Sequence, residues 1–183
     1  PRDEGKIGFY VCGPTVQSAP HIGHGRSAVA FDVIRRYLEW RGFDVTFVRN
    51  VTDIEDKIIE KAAEAGEDVP SYARKMEARF SEGYRRLGAR DPDIEPRATE
   101  NIPQMHELIQ ILIDKGMAYQ AGDDVYFAVR MDEDYGKLSR RDLDEMRSGT
   151  RIEPNEAKHD PLDFALWKGA KLGEPSWDSP WGP

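Results

Sequence analysis

Ile7-Gly8-Phe9-Tyr10-Val11-Cys12-Gly13-Pro14-Thr15, followed shortly by His21-Ile22-Gly23-His24, sets up the first part of this chain. The apolar run stops at glycine and proline, the pattern of a strand that runs into a loop. From Gly23 to Arg41 apolar residues recur at Val29, Val33 and Tyr37, and again at Ala30, Ile34 and Leu38. Two stripes at that spacing predict a long amphipathic helix, and Gly42 stands where a C-terminal glycine cap belongs. Phe43 to Val48 alternates apolar and polar residues and predicts a second strand. Strand, helix and strand in one unit of this length predict a parallel βαβ crossover. The expected fold class is therefore α/β, a Rossmann-like parallel sheet with helices.

The chemistry concentrates at His21-Ile22-Gly23-His24, at the carboxyl end of the expected sheet, where folds of this kind bind ligands. Two imidazoles three residues apart can face the same side of an opening helical turn. Gly23 lets a flat ring approach the backbone, and the helix N-terminus offers unpaired N–H groups and a field that favours phosphate. The combination suits the triphosphate of ATP. Donors held on the phosphates stabilise charge that develops as the α-phosphorus is attacked, by about 3 to 4 kcal/mol for one good donor. His21 and His24 are the candidate catalytic residues, and His21, Gly23 and His24 the candidate ATP-binding residues. The bland alternative, that the two histidines only cap a helix, is weakened by their place at a strand-to-helix junction.

Farther along, Thr52 or Asp53 can cap a helix reaching Ala65, with Gly66 closing it, and Pro70 suits the first turn of another helix to Leu87. Asp91 to Pro96 reads as a proline-punctuated linker, Thr99 to Lys115 as a helix, and Met117 to Val129 as a hairpin around Gly122-Asp123-Asp124. Arg140 to Arg147 reads as a short charged helix. Helices give way to short strands from about Gly116. The expected division is residues 1–115, the sheet with a helical extension, and residues 116–183, part of an inserted subdomain.

Composition narrows the function. With 183 residues, 39% hydrophobic and 33% charged, the chain can bury a core as one domain or as a domain with an insertion. No run approaches the roughly 18 to 20 apolar residues of a membrane-spanning helix, and Pro1 to Lys6 lacks the features of a secretory signal, so the cytoplasm is the expected compartment and no membrane the expected partner. A net charge of -8 argues against a surface that wraps nucleic acid, though one basic patch can coexist with it. Cys12 is the single cysteine and the four histidines show no closed metal-ligand spacing. A start at Pro1 and a stop at Ser179-Pro180-Trp181-Gly182-Pro183 suggest a fragment.

Several motifs in order carry a resemblance. Phe9-Tyr10-Val11-Cys12-Gly13-Pro14-Thr15-Val16, His21-Ile22-Gly23-His24 and Phe47-Val48-Arg49-Asn50-Val51-Thr52-Asp53-Ile54-Glu55-Asp56-Lys57-Ile58-Ile59 closely resemble cysteinyl-tRNA synthetases. So do Glu95-Pro96-Arg97-Ala98-Thr99-Glu100, Tyr135-Gly136-Lys137-Leu138-Ser139-Arg140, and Asp163-Phe164-Ala165-Leu166-Trp167-Lys168 leading to Ser176 through Pro183. The resemblance implies the first half of a class I synthetase catalytic domain plus part of a connective insertion that helps hold the tRNA acceptor end. It implies ATP-driven formation of cysteinyl-adenylate, with Mg²⁺ accompanying ATP, and transfer to tRNA(Cys) by a full-length monomer. It makes Cys12 one ligand of a Zn²⁺ ion that binds the thiolate of L-cysteine, and it places Gly13, Thr15 and Thr52 along the cysteine pocket. Zinc suits that task because it binds a thiolate far better than serine's hydroxyl. The other implied ligands, a cysteine, a histidine and a glutamate, would lie past Pro183, so this fragment alone is expected to be inactive.

Other residues carry plainer expectations. His106 and His159 read as surface or packing residues, Arg35-Arg36 and Arg85-Arg86 as solvated helix charges, and Trp167, Trp177 and Trp181 as packing. The Asp53-Ile54-Glu55-Asp56 cluster stays unassigned between a Mg²⁺ site and a helix dipole. Two other functions remain open: a ligase joining activated cysteine to an amino-sugar, and a non-catalytic tRNA-binding fragment.

Overall fold

The computed structural model describes residues 2–141, 143 and 157–183. It divides into one unit up to Asn101 and another from Ile102 onward. In the first, β1 (Lys6–Val11) and β2 (Asp44–Arg49) run parallel, with Lys6 opposite Asp44 and Val11 opposite Arg49. The helix α1 (Ile22–Trp40) connects them. This is the βαβ arrangement of an α/β fold, and the alternation that predicted β2 is visible in the burial of Val45 and Phe47.

The faces of α1 differ from expectation. Val29, Val33, Ile34 and Tyr37 are exposed, whereas Gly25, Asp32 and Arg35 are buried. Ion pairing explains the inversion. Arg35 donates to both carboxylate oxygens of Asp93 at 2.7 and 2.9 Å and to the Asp91 carbonyl at 2.9 Å. Asp32 accepts from the Arg36 side chain at 2.5 Å and the Arg90 N–H at 3.1 Å. Arg35 is thus a buried anchor, not a solvated charge, while Arg85 pairs on the surface with Asp91.

Asp93 makes a second tie by accepting the Phe47 N–H at 2.7 Å. That amide outweighs the opposing effect of burial and, with the Arg35 charge, holds the Asp93 carboxyl below its ordinary range. The expected linker is consequently no linker. The Ile94 carbonyl accepts the Arg49 N–H at 3.1 Å, and the Pro96 carbonyl accepts the Val51 N–H at 2.9 Å, so the segment follows the edge of β2. Pro96 serves there as an acceptor, the one backbone role a proline retains.

The helix α2 (Asp56–Ala65) starts later than Thr52 or Asp53 because Glu55 is its cap, accepting the Lys57 N–H at 2.9 Å. Asp53 is occupied elsewhere. Its two oxygens accept the Thr99 N–H at 3.0 Å and the Thr99 hydroxyl at 2.6 Å. The helix α3 (Val69–Arg86) is capped by Asp68 and carries Pro70 in its first turn. Val16, Val51, Ile58, Ala62, Met76, Phe80 and Tyr84 form the core of this unit. Each large side chain fully buried there, such as Ile58, contributes about 1.5 to 3 kcal/mol.

In the second unit, α4 (Ile102–Asp114) begins after a 3₁₀ turn over Ala98–Asn101, rather than at Thr99, whose amide Asp53 already holds. The strands β3 (Ala118–Ala121) and β4 (Asp124–Phe127) form the expected hairpin, with Gly122 at φ 66° in the turn. The strand β5 (Phe164–Trp167) pairs antiparallel with β4. Ile109, Ala118, Val125 and Trp181 form the core, with Trp167 packed against it. His106 meets Trp167 and Trp181 edge-on, and His159 stacks on Tyr119. The charged helix expected over Arg140 to Arg147 falls largely outside the described residues. No helix among the described residues is long and apolar enough to cross a membrane.

Candidate active site

Because β1 and β2 are parallel and in register, the residues that follow them emerge side by side. Asn50 joins the two ends, its side-chain oxygen accepting the Gly13 N–H at 2.7 Å and the Tyr10 hydroxyl at 3.0 Å. Position 13 has room only for glycine: a Cβ would lie 1.5 Å from the Asn50 carbonyl oxygen. One step further, the Thr52 N–H donates to the Pro14 carbonyl at 3.1 Å and the Val16 N–H to the Thr52 carbonyl at 3.2 Å. Thr15 and Thr52 are paired by this bridge.

His21 is the N-cap of α1. Its Nδ1 accepts the Gly23 N–H at 3.1 Å, and His24 Nδ1 accepts the His21 N–H at 3.2 Å. Two imidazoles therefore fill the reciprocal roles usually taken by serine or threonine and glutamate. A Cβ on residue 23 would come within 2.9 Å of His21 Cε1, so Gly23 is what lets the His21 ring fold over the helix end. With both Nδ1 atoms accepting, each neutral ring carries its proton on Nε2. Burial pulls His24 below the ordinary imidazole range, and the neighbouring His21, with ring centroids 3.8 Å apart, acts in the same direction. His24 is thus held as a neutral donor.

A pocket of about 90 Å³ lies at this edge, with Cys12, Gly13, His24, Ser27, Arg49 and Tyr84 in its wall. The structure brings Cys12, Gly13 and His24 together here. It does not place Thr15, Thr52, His21 or Gly23 in the same wall; His21 borders a separate hollow of about 350 Å³ with Ile22, Gly25 and Arg86. Cys12 is exposed. Among the described residues no three His, Cys, Asp or Glu side chains converge on a point where a metal could sit. Zinc takes at least three protein ligands, so the lone Cys12 thiol does not make a zinc site by itself.

Arg49, Asn50 and Tyr84 are site residues that sequence reasoning did not single out. Arg49 and Asn50 stood inside a family-like stretch, but neither belongs to a motif with its own chemistry. Tyr84 sits on α3 at core spacing, and only the packing of α3 reveals that its ring faces the pocket. Burial raises its phenol pKa, against the pull of the Arg49 charge.

The backbone gives the class. A methionyl-tRNA synthetase of Mycobacterium tuberculosis bound by methionyl-adenylate superimposes with a TM-score of 0.56 and 26% identity, over 62% of this chain and 23% of that one. The strand, histidine-bearing turn and helix described above are thus part of an aminoacyl-tRNA synthetase fold. The family described as the class I (C) tRNA synthetase catalytic domain matches residues 1–183, and the chain belongs to it. A cysteine-tRNA ligase of Syntrophobacter fumaroxidans is 56% identical over 183 residues, which is 100% of this chain and 37% of the relative. One from Stutzerimonas stutzeri is 56% identical over 184 residues, 100% of this chain and 40% of the relative. The chain therefore spans well under half the length of these relatives.

Proposed function

We propose that the full-length protein containing this chain activates L-cysteine with ATP and transfers the cysteinyl group to tRNA(Cys). The carrying observation is the shared pocket, in which Cys12 and Gly13 from the end of β1 meet His24 from the first turn of α1. The identity to cysteine-tRNA ligases over the whole chain supports cysteine as the amino acid. In the first step a carboxylate oxygen of cysteine attacks the α-phosphorus and pyrophosphate leaves. In the second a terminal ribose hydroxyl of the tRNA attacks the adenylate carbonyl and AMP leaves.

The chain's own groups have definite tasks in this reading. His24 offers Nε2–H to the phosphates, where a donor is worth about 3 to 4 kcal/mol if it strengthens in the transition state. His21 adds its own Nε2–H at this end of α1, Gly23, whose N–H the His21 ring already holds, shapes the turn, and the helix dipole favours phosphate. Mg²⁺ accompanies ATP. Gly13, Thr15 and Thr52 line the approach for cysteine. Cys12 supplies one thiolate toward a zinc ion that would hold the substrate thiol in preference to a hydroxyl, with the other ligands coming from outside the described residues. Residues 116–183 belong to an insertion serving the tRNA acceptor end. The protein works as a cytoplasmic monomer.

The test is cysteine-dependent ATP–pyrophosphate exchange and aminoacylation by the full-length protein. His24→Ala is expected to slow exchange about a hundredfold or more while leaving cysteine binding nearly intact. Equal losses in both would remove His24 from the phosphate site. Transfer to an amino-sugar but not to tRNA would indicate the ligase alternative, and tRNA binding without exchange a non-catalytic protein.

A further inference from the structure

Arg49, the last residue of β2, is neutralised less completely than its neighbours. Its side chain is 9% exposed and shares the pocket wall with Cys12, Gly13 and His24. The guanidinium lies over the Tyr84 ring, 4.7 Å from its centre, and donates through one terminal nitrogen to Glu95 at 3.2 Å. Its Nε is buried with no hydrogen-bond partner. Elsewhere in the same unit an arginine engages both oxygens of a carboxylate: Arg35 does so on Asp93, and Arg97 on Glu77. Arg49 has a single long contact to a carboxylate that is itself 28% exposed. Among the described residues no acidic side chain lines the pocket.

A guanidinium has five donors in a fork shaped for an oxyanion, and withdrawing it from water without full pairing is costly. An anion that enters the pocket would supply the missing partner. Glu95 cannot supply it alone, and the Tyr84 ring offers only its face. We propose that Arg49 is a ligand-binding residue that receives an oxyanion of the bound substrate, a carboxylate or a phosphate, in the pocket it shares with Cys12 and His24. The carboxylate of the amino acid is one source and the α-phosphate of the nucleotide the other. This assignment rests on the function proposed above, and it gives the site a means of rejecting thiols that lack the acid group.

The experiment measures equilibrium binding of L-cysteine, its neutral isostere L-cysteinamide, and ATP to the full-length protein and to Arg49→Gln and Arg49→Lys. A charge-assisted hydrogen bond predicts that the unaltered protein binds cysteine about 10- to 100-fold more tightly than cysteinamide. Arg49→Gln is expected to erase that ratio by weakening cysteine alone, and Arg49→Lys to restore part of it. If the phosphate is the partner, the ratio survives and ATP binding falls by a similar factor. Arg49→Gln that changes neither the ratio nor ATP binding overturns the assignment, as does an equal loss of cysteine and cysteinamide with ATP binding unchanged. Should Arg49→Gln fail to fold, Arg49→Lys decides in the same way: a lower ratio or weaker ATP binding supports the assignment, and no change in either overturns it. An unaltered protein that binds neither cysteine nor ATP would instead refute the proposed function.

Discussion

Gly13→Ala tests the geometry at the end of the two strands most directly. The added carbon would stand 1.5 Å from the Asn50 carbonyl oxygen, 2.7 Å from its carbon and 3.2 Å from Arg49 Cγ. A relaxed carbon-to-carbonyl-oxygen contact is about 3.3 Å, so the chains must part by roughly 1.8 Å. Neither neighbour is a flexible side-chain tip that could swing aside, because the nearest atoms are backbone held by Val51 and the segment beside it. The shift stretches the Gly13 N–H bond to Asn50, now 2.7 Å, past any useful length. Overpacking costs about 1 to 3 kcal/mol and a lost hydrogen bond about 1 kcal/mol more. A total of about 3 kcal/mol should lower the melting temperature of the N-terminal unit by roughly 12 to 24 °C, at about 4 to 8 °C per kcal/mol for a unit of this size. Differential scanning calorimetry of the unaltered and substituted proteins reads this shift. A melting temperature unchanged within a degree would mean that the strand ends are not packed as described.

Cys12→Ser in the full-length protein is expected to lower both zinc content and cysteine affinity; unchanged zinc by metal analysis would remove Cys12 from the ligand set. His24 has a folded pKa below its unfolded value of about 6.5, so the unfolded state takes up its proton first and the stabilisation present above that pH fades as pH falls through the folded pKa. Urea midpoints between pH 7.5 and 5 should therefore drop more steeply for the unaltered protein than for His24→Gln, and identical slopes would contradict the lowered His24 pKa. Asp93→Ala removes the bidentate partner of Arg35, whose side chain is 8% exposed, and is expected to cost about 1 to 3 kcal/mol in chemical denaturation. A midpoint equal to that of the unaltered protein would show that Glu39, which already accepts from Arg35 Nε at 3.1 Å, suffices as the counter-charge.

Local pattern carried the backbone of this fold a long way. The period of two in β2, the glycine stops and the hairpin turn at Gly122 all reflect interactions between near neighbours, and those elements stand close to where the sequence puts them. The inward face of α1 was not legible, because the apolar stripes are the exposed ones and the buried face depends on Asp93, a residue distant in sequence. The Asp91 to Pro96 segment was misread for a related reason: prolines signal a break, while its carbonyls still pair with β2. At the site, the histidine turn could be read from its position between strand and helix, and the structure puts His24 in one pocket wall with Cys12 and Gly13 and His21 beside another hollow. Arg49 gave no signal, since only three-dimensional packing shows that a strand-end arginine is buried and partly unpaired.

The tie between Arg35 and Asp93 also has an order in time. During synthesis α1 and both strands leave the ribosome before Asp93, so Arg35 at first has only Glu39, one turn along the same helix, as a carboxylate partner at 3.1 Å. Sealing that face early would bury the guanidinium with its bidentate partner missing, which disfavours closure until the residues from Asp91 onward arrive. Closing so long a loop adds its own entropic delay. Amide exchange on stalled nascent chains should show Phe47 protected only once Asp93 has emerged, because the same carboxylate accepts both the Arg35 side chain and the Phe47 N–H. One acidic residue late in the unit thus acts as a latch that lets the early elements wait without committing to a wrong partner.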